Sequence, residues 1–512
     1  MIPGNAQRSI RILQAALMAV AACYIGLYIW VALQRLGYPF ELEWIEGAMV
    51  DTVQRILDGK PLFVQPSLDY GYFMYTPLYF WISAAVAKWI GIGFLPLRLV
   101  SFASSLGCLA LIYALVFHEN RSHWAGMVAA GLFAATFKIS GAWFDIARLD
   151  SLFLLFTLAA LYSLRRSRLA WTWQLLTGVM LFLALLAKQA ALIIFAPVLL
   201  AGLWFEPRKT APAVLIAAVM SAAAYGWGNW VSHGWVHYYL FELPRHHPLL
   251  PNIFLDYWTL DLLKPMPIAL GLSLWAAVLF LRNQQPGNYF YGLAGLGMVG
   301  ASYLFRLHFG GYNNVLFPVY AWLAMGFGLA LPEILRRLQS PASEPRPWTV
   351  GTAVLVLGLC LLQFGMLFYD PSKQIPTPAD RQAGLAFIEK MKSFPGDVYV
   401  PFTGYLPTLA GKKTFLHQGT LADILIKGRA DRTSKQLSEE IRQAIREQKF
   451  AALITINGDL ADNRSRFLEL FGEDMRGYYR LEEQLAWGDC FMPVTGAPRR
   501  PENVWVPVKT QQ

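Results

Sequence analysis

The sequence predicts a multi-span α-helical membrane protein with about eleven transmembrane helices in residues 1–369, followed by a soluble α/β domain in residues 370–512. Composition is the first observation: 56% of the 512 residues are hydrophobic, 15% are charged, and the mean hydropathy is +0.39. Two further observations are the recurrence of long apolar runs over residues 1–369 and the polar composition of residues 370–512. No soluble fold needs so much apolar surface, so the bilayer is the expected solvent.

An excess of basic residues gives the chain a formal net charge of +10. In a membrane protein such an excess lies mainly in cytoplasmic loops, where it faces anionic lipid headgroups. The charge therefore predicts membrane lipids as partners and argues against binding to nucleic acid.

Apolar runs are the candidates for membrane helices, since about 20 apolar residues span a bilayer. Twelve crossings would place Arg121 on the outer face, against the positive-inside rule. The conflict disappears when residues 77–93, which follow Thr76 and carry Lys88, are inserted only partly. The twelve runs lie near residues 12–33, 77–93, 98–117, 124–141, 149–164, 171–187, 190–205, 211–231, 265–281, 288–305, 314–332 and 348–369.

Eleven crossings with a cytoplasmic N-terminus place the loop 34–97 and the region 370–512 on the outer side of the cytoplasmic (inner) membrane, which would be the periplasm if the cell is Gram-negative. The first apolar run is expected to remain as a membrane helix, because no small-residue cleavage site follows it. Most ionisable residues outside the basic clusters fall on the outer side, which is therefore the predicted working face.

Acidic residues are concentrated in the first outer loop, FELEWIEGAMVDTVQRILDGKPLF. Its later part has the spacing of an amphipathic helix lying along the interface. Glu43 and Glu46 are three residues apart, so both carboxylates can project the same way and serve as catalytic groups. Alternatively, these acids only cap and solubilise the start of the helix.

Two further charged features interrupt the apolar runs. Asp145, Arg148 and Asp150 lie in WFDIARLDSLFLLF, and ionised groups at the mouth of a membrane helix usually serve a function. The alternative is that Asp150 only N-caps the next helix and pairs with Arg148. Lys188, in AKQAAL, is well placed to bind a phosphate near the membrane surface, or simply extends to the interface.

Two more outer segments, YYLFELPRHHPLL and FRLHFGGYNNVLFP, carry cations and aromatic rings. Arg245 and Arg306 are expected to bind phosphate. A metal site at His246 and His247 is disfavoured, because adjacent histidines seldom point at one ion. The predicted substrate-binding residues are Tyr75, Gln189, His308, Tyr312 and Asn313.

Taken together, these segments resemble the GT-C superfamily of membrane glycosyltransferases, in particular the bacterial branch related to protein O-mannosyltransferases and the aminoarabinose transferase of lipid A. The resemblance covers roughly residues 10–330. It rests on the acidic first loop and on the order and spacing of TPLYFW, RLDSLFLLF, AKQAAL and GGYNNVLFPVYAWLA.

This resemblance implies a sugar donor carried on polyprenyl phosphate, an envelope acceptor (lipid, glycan or protein) and inversion at the anomeric carbon. It also implies that a first-loop carboxylate is the general base. Glu46, in WIEGA, lies closest to the family's acidic pair and is the favoured base, with Glu43 as the alternative. Lys188, Arg148 and Arg245 would stabilise the departing phosphate, and Asp150 would orient them or a divalent metal, which is left open as a cofactor.

Residues 370–512 contain helix-like runs over 379–393 and 434–448 and strand-like runs over 396–402 and 451–457. This alternation predicts a small α/β domain with some parallel pairing, which covers the membrane cavity or only stabilises the outer face. Two rival functions stay open. A transporter or flippase would carry charges near the bilayer midplane, and a non-catalytic scaffold would need no convergent acids and cations.

Overall fold

A computed structural model describes residues 4–167, 169–282, 289–339, 347–428, 431–456 and 475–508. Helices dominate up to residue 366, and a small sheet follows among further helices. In chain order the helices are α1 (Gly4–Leu36), α2 (Glu46–Leu57), α3 (Leu78–Ile90), α4 (Phe94–Asn120), α5 (His123–Ala135), α6 (Asp150–Arg166), α7 (Trp171–Ala187), α8 (Ala191–Phe205), α9 (Pro207–Val231), α10 (Trp235–His237), α11 (Leu243–Arg245), α12 (Ile253–Asp256), α13 (Pro267–Arg282), α14 (Tyr289–Leu307), α15 (Phe317–Gln339), α16 (Pro347–Met366), α17 (Pro378–Ser393), α18 (Leu406–Leu409), α19 (Gln418–Leu425) and α20 (Arg432–Arg446).

Within the described residues, four helices are long and apolar enough to cross a membrane: Gln7–Leu36, Phe94–Asn120, Pro207–Val231 and Asn313–Leu338. A bent pair, Ile253–Leu263 with Pro267–Phe280, makes a fifth if it counts as one span, and its two parts meet at 94°. Several further apolar helices are shorter, with 10–17 residues. The chain is therefore a multi-pass membrane protein, and the count of eleven crossings stays a prediction.

Helix α3 covers the segment that the charge pattern predicts not to cross. It has 13 residues, which at 1.5 Å per residue amounts to about 20 Å against a hydrocarbon core of about 30 Å. Its Tyr79 hydroxyl donates a hydrogen bond to the Leu97 carbonyl oxygen, 2.9 Å away. Helix α3 is thus held against α4, and its position relative to the bilayer stays a prediction.

A four-stranded sheet forms in the C-terminal region, from β1 (Val398–Tyr399), β2 (Ala452–Thr455), β3 (Tyr479–Gln484) and β4 (Asn503–Pro507). Its strand order is β1-β2-β4-β3, with β1 and β2 parallel and the other pairs antiparallel. The predicted helices and strands of this region are confirmed as α17, α20, β1 and β2, whereas β3 and β4 add an edge that the sequence did not predict.

Helix α2 lies at the junction between the membrane helices and the C-terminal region. A Cβ atom on Gly47 would lie only 2.1 Å from the Gly404 carbonyl oxygen, so the two backbones approach as closely as glycine allows. Asp51 accepts a 2.9 Å hydrogen bond from the Tyr405 amide. The acidic loop and the C-terminal region are therefore packed together directly, and this contact positions the site described next.

Candidate active site

A cavity of about 280 Å³ lies where the first loop, the membrane helix ends and the C-terminal region meet, and we call it the central cavity. Part of its wall is apolar, and cationic, amide, imidazole, tyrosine and carboxylate side chains supply the rest. Its lining residues are Trp44, Ile45, Phe73, Met74, Tyr75, Arg148, Lys188, Gln189, Leu240, Pro244, His247, Phe305, His308, Phe309, Gly310, Gly311, Tyr312, Asn314, Val315, Gln418, Gly419, Ala422, Asp423 and Arg499.

Arg148 connects the cavity to the acidic loop. One of its terminal nitrogens lies 3.3 Å from Oε2 of Glu43, and the other donates a 3.0 Å hydrogen bond to the Tyr75 hydroxyl. The guanidinium also lies 5.0 Å from the centre of the Trp143 ring. Because Arg148 is 3% exposed, this contact places a cation beside a carboxylate out of bulk water.

The Glu43 carboxyl is fully buried, and its Oε1 atom has no hydrogen-bond partner among the described residues. Burial raises the pKa of Glu43 to about 7, although the Arg148 guanidinium opposes the rise. A Cβ atom on Gly496, whose φ is +75°, would lie 2.7 Å from Cγ of Glu43. Glu43 is thus a carboxyl group with one free oxygen and a pKa suited to proton transfer near neutral pH.

Glu46 has a different environment, because both of its oxygens are occupied. Arg98 donates to them at 3.0 and 2.7 Å, and the amides of Leu42 and Ala147 donate at 2.6 Å each. Burial alone would raise the pKa of Glu46, but Arg98 and these amide donors outweigh burial and lower it. Neither oxygen of Glu46 is therefore available to act as the predicted base. The carboxylate instead connects the first loop to the backbone at Ala147.

A second buried ion pair forms between Asp150, at the start of α6, and Lys188, at the end of α7. Lys188 Nζ lies 2.7 Å from Asp150 Oδ1, and the Asn314 side-chain amide donates to the same oxygen at 3.0 Å. Lys188 faces the cavity, whereas Asp150 lies behind it. This arrangement holds a cation at the wall without leaving it unpaired.

The structure brings together most of the residues that the sequence singled out. Arg148, Lys188, Tyr75, Gln189, His308 and Tyr312 all line the cavity. The remaining three predicted ligands do not line it.

Arg306 is held away from the cavity by Asp261, whose carboxylate lies 2.8 Å from Arg306 Nε, so its guanidinium is already neutralised. Arg245 is exposed at the end of α11. Asn313 does not line the central cavity, but its neighbour Asn314 does. The predictions that these three residues contact substrate are therefore not supported by their positions.

The C-terminal region supplies wall residues that carry no recognisable motif. Arg499 lies 4.3 Å from the centre of the Trp44 ring, and its terminal nitrogen donates to Gln418 Oε1 at 3.3 Å. His247 Nε2 lies 3.3 Å from Asp423 Oδ1, which links the 243–248 segment to α19. Sequence patterns had singled out neither Trp44 nor Arg499.

No group of three or more His, Cys, Asp or Glu residues is arranged to hold a metal ion in the part of the chain that the structure describes. Asp150, the acid predicted to orient a metal or the cations Lys188, Arg148 and Arg245, contacts Lys188.

Part of the chain matches a known protein family. The family model described as dolichyl-phosphate-mannose-protein mannosyltransferase matches residues 53–222. No curated protein sequence matches the chain.

Solved structures match over nearly the whole chain. ArnT from Cupriavidus metallidurans in the apo state has a TM-score of 0.58 and 12% identity, and the match covers 95% of this chain and 98% of ArnT. The same protein bound to undecaprenyl phosphate has a TM-score of 0.54, with 12% identity and coverage of 96% and 97%.

The archaeal oligosaccharyltransferase AglB from Archaeoglobus fulgidus, in complex with an inhibitory peptide and a dolichol-phosphate, has a TM-score of 0.57 at 11% identity. That match covers 86% of this chain and 69% of AglB. The resemblance drawn from the sequence is thereby confirmed: the chain has the fold of the GT-C superfamily of membrane glycosyltransferases.

Proposed function

We propose that this protein transfers a sugar from a polyprenyl-phosphate donor to an acceptor of the cell envelope, with inversion at the anomeric carbon. One observation carries the proposal: Arg148 and Lys188 line a partly apolar cavity, and Arg148 also contacts Glu43, a carboxyl group buried behind the lining whose pKa is about 7. An amphipathic donor needs both an apolar wall and cations, and an acceptor hydroxyl needs a base.

The donor is assigned to the central cavity by its chemistry. The rings of Phe305 and Phe309 line it and suit an isoprenoid chain, whereas Arg148 and Lys188 suit a phosphate diester. The undecaprenyl phosphate bound to ArnT in one of the matching structures supports the same class of ligand.

The reaction follows from the placement of Glu43. Its free oxygen takes the proton of the acceptor hydroxyl while the hydroxyl oxygen forms a bond to the anomeric carbon. The bond between that carbon and the phosphate oxygen breaks on the opposite face, and the phosphate leaves with the electron pair. Arg148 and Lys188 stabilise the negative charge that develops on this phosphate.

Glu46 acts as a positioning residue in this scheme. Its carboxylate receives the Leu42 amide from the first loop and the Ala147 amide from the segment before Arg148. It thereby fixes the relative positions of Glu43 and Arg148, which lie on these two segments. Asp150 fixes Lys188 in the same way.

The cellular arrangement that suits this chemistry has the N-terminus in the cytoplasm and the loop 34–97 with residues 370–512 on the outer face of the cytoplasmic membrane. The glycan, lipid or protein acceptor would then reach the cavity from the outer aqueous side. Cysteine-accessibility labelling of position 413 in intact cells tests this orientation, and labelling only after the cells are broken would contradict it.

Reconstitution tests the proposed function directly. Purified protein in nanodiscs is given a radiolabelled polyprenyl-phosphate sugar and an envelope extract from cells that lack the gene, with and without EDTA to measure dependence on a divalent ion. Label should move into the extract with wild-type protein and with Glu389→Gln, an exposed acid of α17, but not with Glu43→Gln. Equal transfer by Glu43→Gln and wild-type protein would contradict the assignment of Glu43 as the base. Failure of the wild-type protein to bind undecaprenyl phosphate would contradict the proposed class of donor.

A further inference from the structure

A second and larger cavity, of about 460 Å³, lies between α2, the turn at residues 69–71 and residues 408–417 of the C-terminal region. We call it the polar cleft. Its lining residues are Ala48, Asp51, Thr52, Gln54, Arg55, Asp58, Lys60, Asp69, Tyr70, Gly71, Phe73, Thr408, Lys412, Lys413, Thr414, Phe415, Leu416 and His417. None of the proposed catalytic groups is among them.

Four of the charged side chains of the polar cleft form two ion pairs, whereas Arg55 and Lys412 donate to backbone carbonyl oxygens. Lys413 Nζ lies 2.7 Å from Asp69, and Lys60 Nζ lies 3.0 Å from Asp58. Their side chains are between 36% and 58% exposed, so these pairs exchange partners with water at little cost. The cleft therefore offers many closely spaced donors and acceptors with a small formal excess of positive charge, four cations against three carboxylates, and this lining suits a ligand rich in hydroxyl groups.

Aromatic rings and an unused polar atom add to this chemistry. The Arg55 guanidinium lies 3.9 Å from the centre of the Tyr70 ring. The Tyr70 hydroxyl is buried and has no hydrogen-bond partner among the described residues, although such a group normally finds one. Phe73 and Phe415 supply flat apolar surfaces against which the C–H faces of a sugar ring can pack.

A single layer of side chains separates the polar cleft from the central cavity. Phe73 lines both. His417 lines the cleft, and its ring stacks on Trp44, a residue of the central cavity, with 5.3 Å between ring centres. Burial lowers the pKa of His417 to about 4, so this wall is uncharged at neutral pH.

The two cavities divide the two substrates between them by polarity. An isoprenoid chain makes no favourable contact with a cleft lined with ion pairs, whereas a polar acceptor can form hydrogen bonds with it. We propose that the polar cleft binds the saccharide portion of the acceptor and delivers one of its hydroxyl groups past Phe73 and His417 into the central cavity. This inference rests on the proposed function, because only a sugar transferase has an acceptor. The binding of a saccharide in the cleft can be tested without assuming sugar transfer.

The test compares two lysines of similar exposure, each paired with a carboxylate, one inside the polar cleft and one outside it. Lys413 lies in the polar cleft and is 47% exposed in a pair with Asp69, whereas Lys392 lies on α17 and is 49% exposed in a pair with Glu389. Each is changed to cysteine in the full-length protein after replacement of Cys23 and Cys490, the two native cysteines that are not buried. A methanethiosulfonate dye then reports access to either position.

Binding is measured first, with oligosaccharides released from the envelope by mild acid as the probe. At about ten times their dissociation constant they should slow labelling of Lys413→Cys about tenfold and leave Lys392→Cys unchanged. Equal labelling of Lys413→Cys with and without the oligosaccharides overturns the proposal. Protection by an envelope protein fraction alone overturns it as well, because the cleft would then bind a polypeptide.

Transfer is measured second. The dye on Lys413→Cys should raise the KM for the envelope acceptor about tenfold or more and leave the affinity for undecaprenyl phosphate unchanged. Removal of the dye with dithiothreitol should restore the KM, and the dye on Lys392→Cys should have no effect. An unchanged KM would overturn the delivery of acceptor through the cleft, whereas a wild-type protein without any transfer would overturn the proposed function and leave the binding result standing.

Discussion

Arg98 holds Glu46 with two nitrogens at once, at 3.0 and 2.7 Å, and neither side chain is exposed to solvent. The same guanidinium donates to the carbonyl oxygens of Tyr38 and Phe40, each at 2.6 Å. This bidentate pair joins the start of α4 to the first loop. Its geometry is that of a structural connection, because no lone oxygen of Glu46 remains to take a proton from a substrate.

We expect Glu46→Gln to destabilise the protein by about 3 to 5 kcal/mol, because it leaves the Arg98 charge buried without its carboxylate. The shift in thermal unfolding midpoint in detergent measures this loss, with Glu389→Gln as the exposed control. Glu46→Gln with Arg98→Met should recover part of the stability. A Glu46→Gln protein of normal stability that lacks all transfer would instead restore Glu46 as the base.

For Glu43→Gln we expect the opposite pattern. The rate of transfer should fall by about 10²- to 10⁴-fold, as is usual on removal of a general base. Thermal unfolding should change less than for Glu46→Gln, because Oε1 of Glu43 has no partner to lose and its contact with Arg148 is long, at 3.3 Å. Measuring the transfer rate and the unfolding midpoint on the same preparation of each variant distinguishes the role of Glu43 from that of Glu46.

The pKa of Glu43, about 7, sets the expected pH dependence. Only the ionised carboxylate accepts a proton, so the rate should rise as the pH passes through about 7 and fall on the acid side. Arg148 lowers this pKa, and Arg148→Gln should therefore move the rising limb to higher pH as well as lower the maximal rate. A limb that stays in place in Arg148→Gln would argue against Glu43 as the titrating group.

Substitutions in the Lys188–Asp150 pair can distinguish an effect on protein stability from an effect on binding of the donor phosphate. Lys188→Met should weaken undecaprenyl phosphate binding about tenfold or more, the effect expected for one charge-assisted hydrogen bond. It should also lower the unfolding midpoint, since Asp150 is left buried with only Asn314 as a partner. Lys188→Met with Asp150→Asn should recover the midpoint but not the affinity. Recovery of both would show that Lys188 has a structural role only.

The sequence predicted the parts of the molecule that follow local patterns. Helices α17 and α20 lie where polar helical runs predict them, and Lys188 and Arg148 line the cavity as their interruption of apolar runs suggested. The choice between Glu43 and Glu46 lay beyond sequence reasoning. It depends on Arg98, which stands 52 residues from Glu46 at the head of an apolar run that offers no hint of its partner.

Contacts between distant parts of the chain were missed for the same reason. Thr495 donates its amide hydrogen to the Leu42 carbonyl oxygen at 3.1 Å, and Gly496 packs on the Glu43 side chain. Neither residue belongs to a periodic pattern, so nothing in the sequence brings them to the acidic loop. The ion-pair partner of Arg306 was missed as well, because Asp261 lies 45 residues away in a bent helical segment.

The wall of the central cavity combines Trp44, from the beginning of the chain, with Arg499, from near its end. Synthesis proceeds from the N-terminus, so the acidic loop, Arg148 and Lys188 of a nascent chain are made long before residues 418–499. Until then the ring of Trp44 lacks the His417 and Arg499 side chains that pack on it, and the cavity stays open on that side. The wall is therefore complete only after residue 499 has been synthesised, and a chain terminated before that residue would have donor-binding groups without an enclosed chamber.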